Sequence, residues 1–143
     1  MKKIAIIHGP NLNLFGERET AIYGDVSFDD INAEITARTG KSALTVQIFQ
    51  SNSEGEIIDF IQSVRNTADG IIINAGAYTH YSIAIRDALG GLKIPVIEVH
   101  CSNVYAREKF RHKSVLSPVA AGVIAGFGKE SYLLAIDAIK NLI

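Results

Sequence analysis

Ile71, Ile72 and Ile73 give way at Asn74 to small and polar residues, and helical spacing begins only at Ser82. Three β-branched apolar residues in a row read as a strand buried on both faces, since a strand with one wet face would alternate. Such a strand needs cover on both sides of its sheet, and helices returning between parallel strands supply it. Within Gly70–Leu89 the strand is followed by Asn74, Ala75, Gly76, Ala77, Tyr78, Thr79, His80 and Tyr81; Ile83, Ile85 and Leu89 then mark a helix, with Arg86 and Asp87 among them. Donors and acceptors therefore gather where strand passes into helix. In an open parallel sheet ligands bind there, beyond the carboxyl ends of the strands. These side chains suit a polar, oxygen-rich small molecule.

The rest of the chain repeats the unit. Ile4–Ile7 is a second apolar run, leading into His8-Gly9-Pro10-Asn11-Leu12-Asn13-Leu14-Phe15-Gly16. The connection to Ser27 is long enough to be a lid or binding loop. Ser27 with Asp30 predicts a capped helix start, with Ile31 and Ile35 inward. Leu44–Phe49 alternates as an edge strand. Ser53 with Glu56 opens a second capped helix whose inward residues are Ile57, Ile58, Ile61 and Val64. Gly90 and Gly91 stop the next helix, Pro95–Val99 is a fourth strand, and Ala120–Ala125 a fifth, closed by Gly126 and Gly128. The last helix is predicted from about Lys129 to Leu142, with Leu133, Ile136 and Ile139 apolar on one side. Five strands alternating with helices predict a flavodoxin-like, doubly wound α/β sheet of order 2-1-3-4-5 in three layers. Residues 1–143 read as a single domain.

Composition narrows the classes. Fourteen basic and fifteen acidic residues leave a net charge of −1, which predicts neither a nucleic-acid nor an anionic-membrane partner. No stretch approaches a membrane span, and the apolar run after Lys2 and Lys3 is too short for a secretory leader. Cys101 is the only cysteine and can form no internal disulfide. A cytoplasmic, soluble protein is expected.

Polar residues concentrate after the strands: Asn11, Asn13, Arg18 and Tyr23 after the first, Asn74 and His80 after the third, His100, Ser102 and Arg111 after the fourth. The opposite connections, Thr39–Ala43 and Gly90–Lys93, carry nothing comparable. That asymmetry predicts an active site. No group of residues has zinc spacing, and neither GxxxxGK[ST] nor GxGxxG follows a strand. His100 and Cys101 are neighbours on an extended strand and face opposite ways, so Cys101 reads as a small buried hydrophobe. No lysine stands at a strand's carboxyl end, which disfavours a Schiff base. Acid–base chemistry by His, Tyr and Arg remains, with Asn and Ser to hold a substrate.

GPNLNLFG (Gly9–Gly16), R-x-x-x-x-Y-G (Arg18–Gly24), QSN-x-EGE (Gln50–Glu56), IIN-x-GAYTH (Ile72–His80), RDAL (Arg86–Leu89), VIEVH-x-SN (Val96–Asn103), AREKFRH (Ala106–His112) and SPVAAGVIAGFG (Ser117–Gly128) together resemble type II 3-dehydroquinate dehydratase along essentially the whole chain. The resemblance implies a flavodoxin-like subunit, a homododecamer of four trimers, and no metal or organic cofactor. The implied reaction dehydrates 3-dehydroquinate to 3-dehydroshikimate through an enolate, in aromatic biosynthesis or quinate breakdown. By the same resemblance Tyr23 is the base, favoured as tyrosinate by Arg18. His100 is the acid for the departing hydroxyl, with Glu98 orienting it. Asn11 holds the water that stabilises the enolate. Asn74, His80, Ser102 with the Cys101 backbone, and Arg111 contact the substrate, and Asp87 reaches a neighbouring subunit's site. Cys101, Ala75, Ser53, Tyr81 and Tyr105 depart from the family's usual residues at positions without a catalytic role. A flavin carrier or a phospho-receiver would share the fold. The first needs a hydroxyl-rich phosphate loop after strand one, and the second an Asp where Asn74 stands. A non-catalytic interaction domain would have no reason to gather Arg18, Tyr23, His80 and His100 at one edge.

Overall fold

In the computed structural model, which describes residues 1–17, 20–23 and 25–143 (Tyr23 by its backbone alone), the side chains of the first strand sort by alternation. β1 (Lys2–His8) sends Ile4 and Ile6 into one apolar cluster and Ala5 and Ile7 into the other. β2 (Leu44–Gln50), β3 (Gly70–Asn74), β4 (Val96–His100) and β5 (Gly122–Ala125) join it, all parallel, in the predicted order β2-β1-β3-β4-β5. A single-turn helix α1 (Thr20–Tyr23) lies in the long first connection, followed by α2 (Phe28–Lys41), α3 (Glu54–Val64), α4 (Ile83–Gly90) and α5 (Glu130–Lys140). α2 and α5 pack together over the Ile4–Ile6 face, and α3 and α4 over the Ala5–Ile7 face. Each fully buried Ile or Leu contributes about 1.5–3 kcal/mol, so the two clusters make the sheet's position between its helix layers unambiguous.

The capping predictions divide. Ser27 Oγ accepts from Asp30 N at 3.1 Å and Asp30 Oδ2 accepts from Ser27 N at 3.4 Å, a reciprocal box. Ser53 Oγ accepts from Glu56 N at 3.3 Å, but Glu56 turns its carboxylate to the Ser51 hydroxyl instead of back to Ser53. On α4, Ile85 and Leu89 form the inward stripe, and Ile83, two residues from Ile85 and so on a different side, is 55% exposed. One apolar residue differs from expectation. Ile58 is only partly buried; Phe60 takes the inward place and stacks on Phe49 of β2 with ring centroids 4.3 Å apart. β5 begins two residues later than predicted, since Ser117–Val119, with Pro118, forms a 3-10 turn ahead of it.

Candidate active site

All five parallel strands end at one edge, and the loops leaving β1 and β3 meet there in backbone contact. Gly9 N donates to Asn74 O at 2.7 Å. A Cβ on Gly9 would stand 2.4 Å from the Ala75 carbonyl oxygen, so only glycine fits. Gly76 crosses Pro10 with φ +58°, where a side chain would be strained. Asn11 also takes a left-handed backbone, φ 68°, and its N–H donates to Asn52 Oδ1 at 3.0 Å. Leu12 and Phe15 are buried in the α2–α5 cluster and anchor this loop.

β4 supplies the ionisable pair. Glu98 and His100 alternate onto the same face, and His100 Nε2 donates to Glu98 Oε2 at 2.6 Å with both residues buried. The other carboxylate oxygen accepts from Ser114 Oγ at 2.8 Å and Ser117 Oγ at 2.9 Å. Burial alone would push the Glu98 carboxyl up; the His100 ring and the two serine hydroxyls outweigh it and hold it below the usual range. With Nε2 bound to a carboxylate, Nδ1 is the nitrogen through which His100 can exchange a proton with a ligand. The same segment holds the second histidine: His80 Nδ1 donates to Lys113 O at 2.7 Å, leaving Nε2 bare. Partial burial lowers the His80 pKa, with the His100 and Arg111 charges adding to the effect, so His80 offers an acceptor.

These groups line a cleft of about 130 Å³. Asn11, Asn74, His80, His100, Cys101, Ser102 and Arg111, seven of the residues expected at the site, border it. Glu98 stands behind His100 and opens on an adjoining cavity of about 330 Å³. Arg111 enters partly engaged, its Nε donating to Glu108 Oε2 at 2.6 Å, so its terminal nitrogens are what it can give a ligand. Cys101 points the other way, into the α2–α5 cluster, and burial pushes its thiol up to about 12; it is inert as a nucleophile. Asp87 is exposed on α4 and does not border this cleft. Arg18 and the Tyr23 side chain lie outside the described residues.

The arrangement is that of an acid–base site for a ligand rich in oxygen, and the comparisons with known proteins agree. The family model described as Dehydroquinase class II matches residues 2–140. The chain belongs to this family. Among its relatives, the 3-dehydroquinate dehydratase of Halothermothrix orenii is 55% identical over 143 residues, covering 100% of this chain and 97% of its own. That of Roseiflexus castenholzii is 58% identical, covering 94% of this chain and 86% of its own. The crystal structure of the type II dehydroquinase from Butyrivibrio crossotus superimposes with a TM-score of 0.95 at 50% identity, covering 96% of this chain and 97% of that one.

Several further groups, to which the sequence analysis assigned no role, shape this site of the class II dehydroquinase fold. Arg107 borders the cleft and donates from Nη1 to Ser102 Oγ at 3.2 Å. Ser114 and Ser117 lie in a segment without periodicity. Beneath Asn74, Nδ2 donates to the Tyr132 hydroxyl at 3.0 Å, which meets His8 Nδ1 at 2.8 Å, while His8 Nε2 meets Asn32 Oδ1 at 2.9 Å. The one available signal was alternation, which puts His8 on the same face as Ile4 and Ile6 at a strand's carboxyl end.

Proposed function

We propose that the chain, as a single catalytic domain spanning residues 1–143, dehydrates 3-dehydroquinate to 3-dehydroshikimate. The observation that carries this reading is the buried Glu98–His100 pair opening on a polar cleft, in a chain whose family match spans the whole sheet. In the proposed reaction Tyr23, favoured as tyrosinate by Arg18, removes the proton next to the ketone. The electron pair moves onto the carbonyl oxygen as an enolate, stabilised by a water held at Asn11. Collapse of the enolate forms the carbon–carbon double bond and breaks the carbon–oxygen bond, and His100 protonates the departing hydroxyl, which leaves as water. Glu98 steadies the imidazolium before transfer. Asn74, His80, Ser102, the Cys101 backbone and Arg111 hold the substrate's hydroxyls and carboxylate, charge-assisted at Arg111. This chemistry calls for neither metal nor organic cofactor in any step.

The reading extends to a homododecamer of four trimers, in which Asp87 completes a neighbour's cleft. Its exposure on α4, away from its own cleft, supports that assignment. It also places the protein in the cytoplasm, serving the shikimate or the quinate pathway; among the described residues no helix is long and apolar enough to cross a membrane. The direct experiment adds 3-dehydroquinate to the purified protein and follows ultraviolet absorbance. A conjugated enone should appear at a rate proportional to enzyme. An unchanged spectrum at micromolar enzyme would end the reading.

A further inference from the structure

The polar chain buried under Asn74 admits one arrangement of hydrogens. Gly76 N–H can only donate, so Asn74 turns Oδ1 toward it, at 3.2 Å, and Nδ2 toward Tyr132. The phenol oxygen accepts from Asn74, and its single hydrogen then goes to Nδ1 of His8. A ring nitrogen that accepts is bare, so His8 carries its proton on Nε2 and donates it to the amide oxygen of Asn32. A backbone amide sets the direction at one end, and a side-chain carbonyl agrees with it at the other. Solvent cannot substitute for the two inner links, Asn74–Tyr132 and Tyr132–His8: His8 and Tyr132 are 0% exposed and Asn74 3%. A second proton on His8 would make Nδ1 a donor and leave the Tyr132 hydroxyl hydrogen without an acceptor, since its other partner, Asn74 Nδ2, only donates. Burial opposes that proton as well, holding the ring's pKa down to about 4 although the Asn32 contact favours the charged form.

Asn74 is therefore clamped at both polar atoms of its amide. The Gly76 contact alone would leave the amide a pivot; the Tyr132 contact makes it a fixed plane. Its second Nδ2 hydrogen has no hydrogen-bond partner among the described residues, and Asn74 borders the cleft. We infer that His8 and Tyr132 are positioning residues: acting through Asn74, they keep a hydrogen-bond donor at one fixed point of the cleft, where an acceptor oxygen of the substrate is held. The link to substrate rests on the dehydratase reading; the direction of the buried chain does not.

Two experiments separate these. Nuclear magnetic resonance of protein labelled with nitrogen-15 histidine should show His8 with Nε2 protonated and Nδ1 bare, unchanged on acidification to about pH 5. A proton on Nδ1 would overturn the inference whatever the protein acts on. Kinetics then test the consequence. Tyr132→Phe removes one buried oxygen, and it should raise KM for 3-dehydroquinate roughly five- to tenfold with kcat little changed, the scale of one lost hydrogen bond. His8→Leu should do the same. His8→Asn can place an amide oxygen where Nδ1 accepted, and should return KM to near the wild-type value. A lowered melting temperature with KM unchanged in both Tyr132→Phe and His8→Leu would make the chain purely structural and sink the proposal. Wild-type protein inert toward 3-dehydroquinate would instead end the dehydratase reading, with the tautomer measurement alone deciding the network.

Discussion

His8 is a histidine that the fold keeps uncharged, and this has a cost in acid. Its pKa in the folded protein is about 4, against an ordinary 6.5. As pH falls the unfolded chain takes up the proton first, so stability is full above about pH 6.5 and declines toward pH 4. At about 1.4 kcal/mol for each unit of pKa, the loss is about 3 kcal/mol. Urea unfolding at several pH values should show that slope flattened in His8→Asn relative to wild type; parallel curves for the two proteins would count against a neutral buried His8. The proposed catalytic pair separates by a different measurement. Tyr23→Phe should leave the fold intact, since one oxygen is lost from the long β1–α2 connection, while turnover drops by several orders of magnitude. Exchange of the substrate's α-hydrogen with solvent deuterium should fall with it. Exchange at the wild-type rate would mean that another group is the base.

In the connection between β4 and β5, the segment from Lys113 to Ser117 works as one strap. Lys113 O takes the His80 Nδ1 proton, while Ser114 and Ser117 both donate to Glu98. Ser114 Oγ also accepts from the Leu116 and Ser117 amides and meets Thr79 Oγ1 at 3.1 Å, so the strap is rigid before any ligand binds. Replacing Ser114 and Ser117 together by Ala removes two donors from a carboxylate whose burial already opposes its charge. Glu98 should then protonate at higher pH, moving the acid limb of the pH–rate profile upward and lowering turnover roughly tenfold. An unmoved limb would show that the serines only fill space. Elements of this kind differ in how far the residues announce them. The strands were legible because β-branched runs and two-residue alternation are local. Alternation also placed Glu98 beside His100 and turned Cys101 away. Ile58 was misread because two adjacent isoleucines both fit an apolar stripe, while Phe60, two residues on, takes the inward place. Residues 113–116 of the strap have neither period nor motif, and His8 meets Tyr132 across 124 residues of sequence. Only the order of the strands brings those two together.

On the scale of the whole molecule, α4 and the β5 edge leave apolar side chains in the open: Tyr81 at 61%, Ile83 at 55% and Val123 at 48% exposure. Ile83 shares α4 with Asp87, and Val123 borders the cavity behind His100; these open positions support the proposed trimer. Light scattering should find a closed particle of about twelve subunits, and a fully active monomer would remove both the assembly and the role given to Asp87. A surface that pairs with its own copies has no periodicity along a single chain, so only the family motifs point to this assembly. The alternation along β4 has a last consequence, for how such a chain can change. Position 98, 100 and the catalytic face share one parity; 99, 101 and the α2–α5 core share the other. A single-residue insertion or deletion inside the strand would exchange the two, turning the thiol toward the substrate and driving the imidazole and carboxylate into the hydrocarbon beneath Tyr132. Length change in β4 is thus permitted only in even steps, while the loops on either side are free to vary by one.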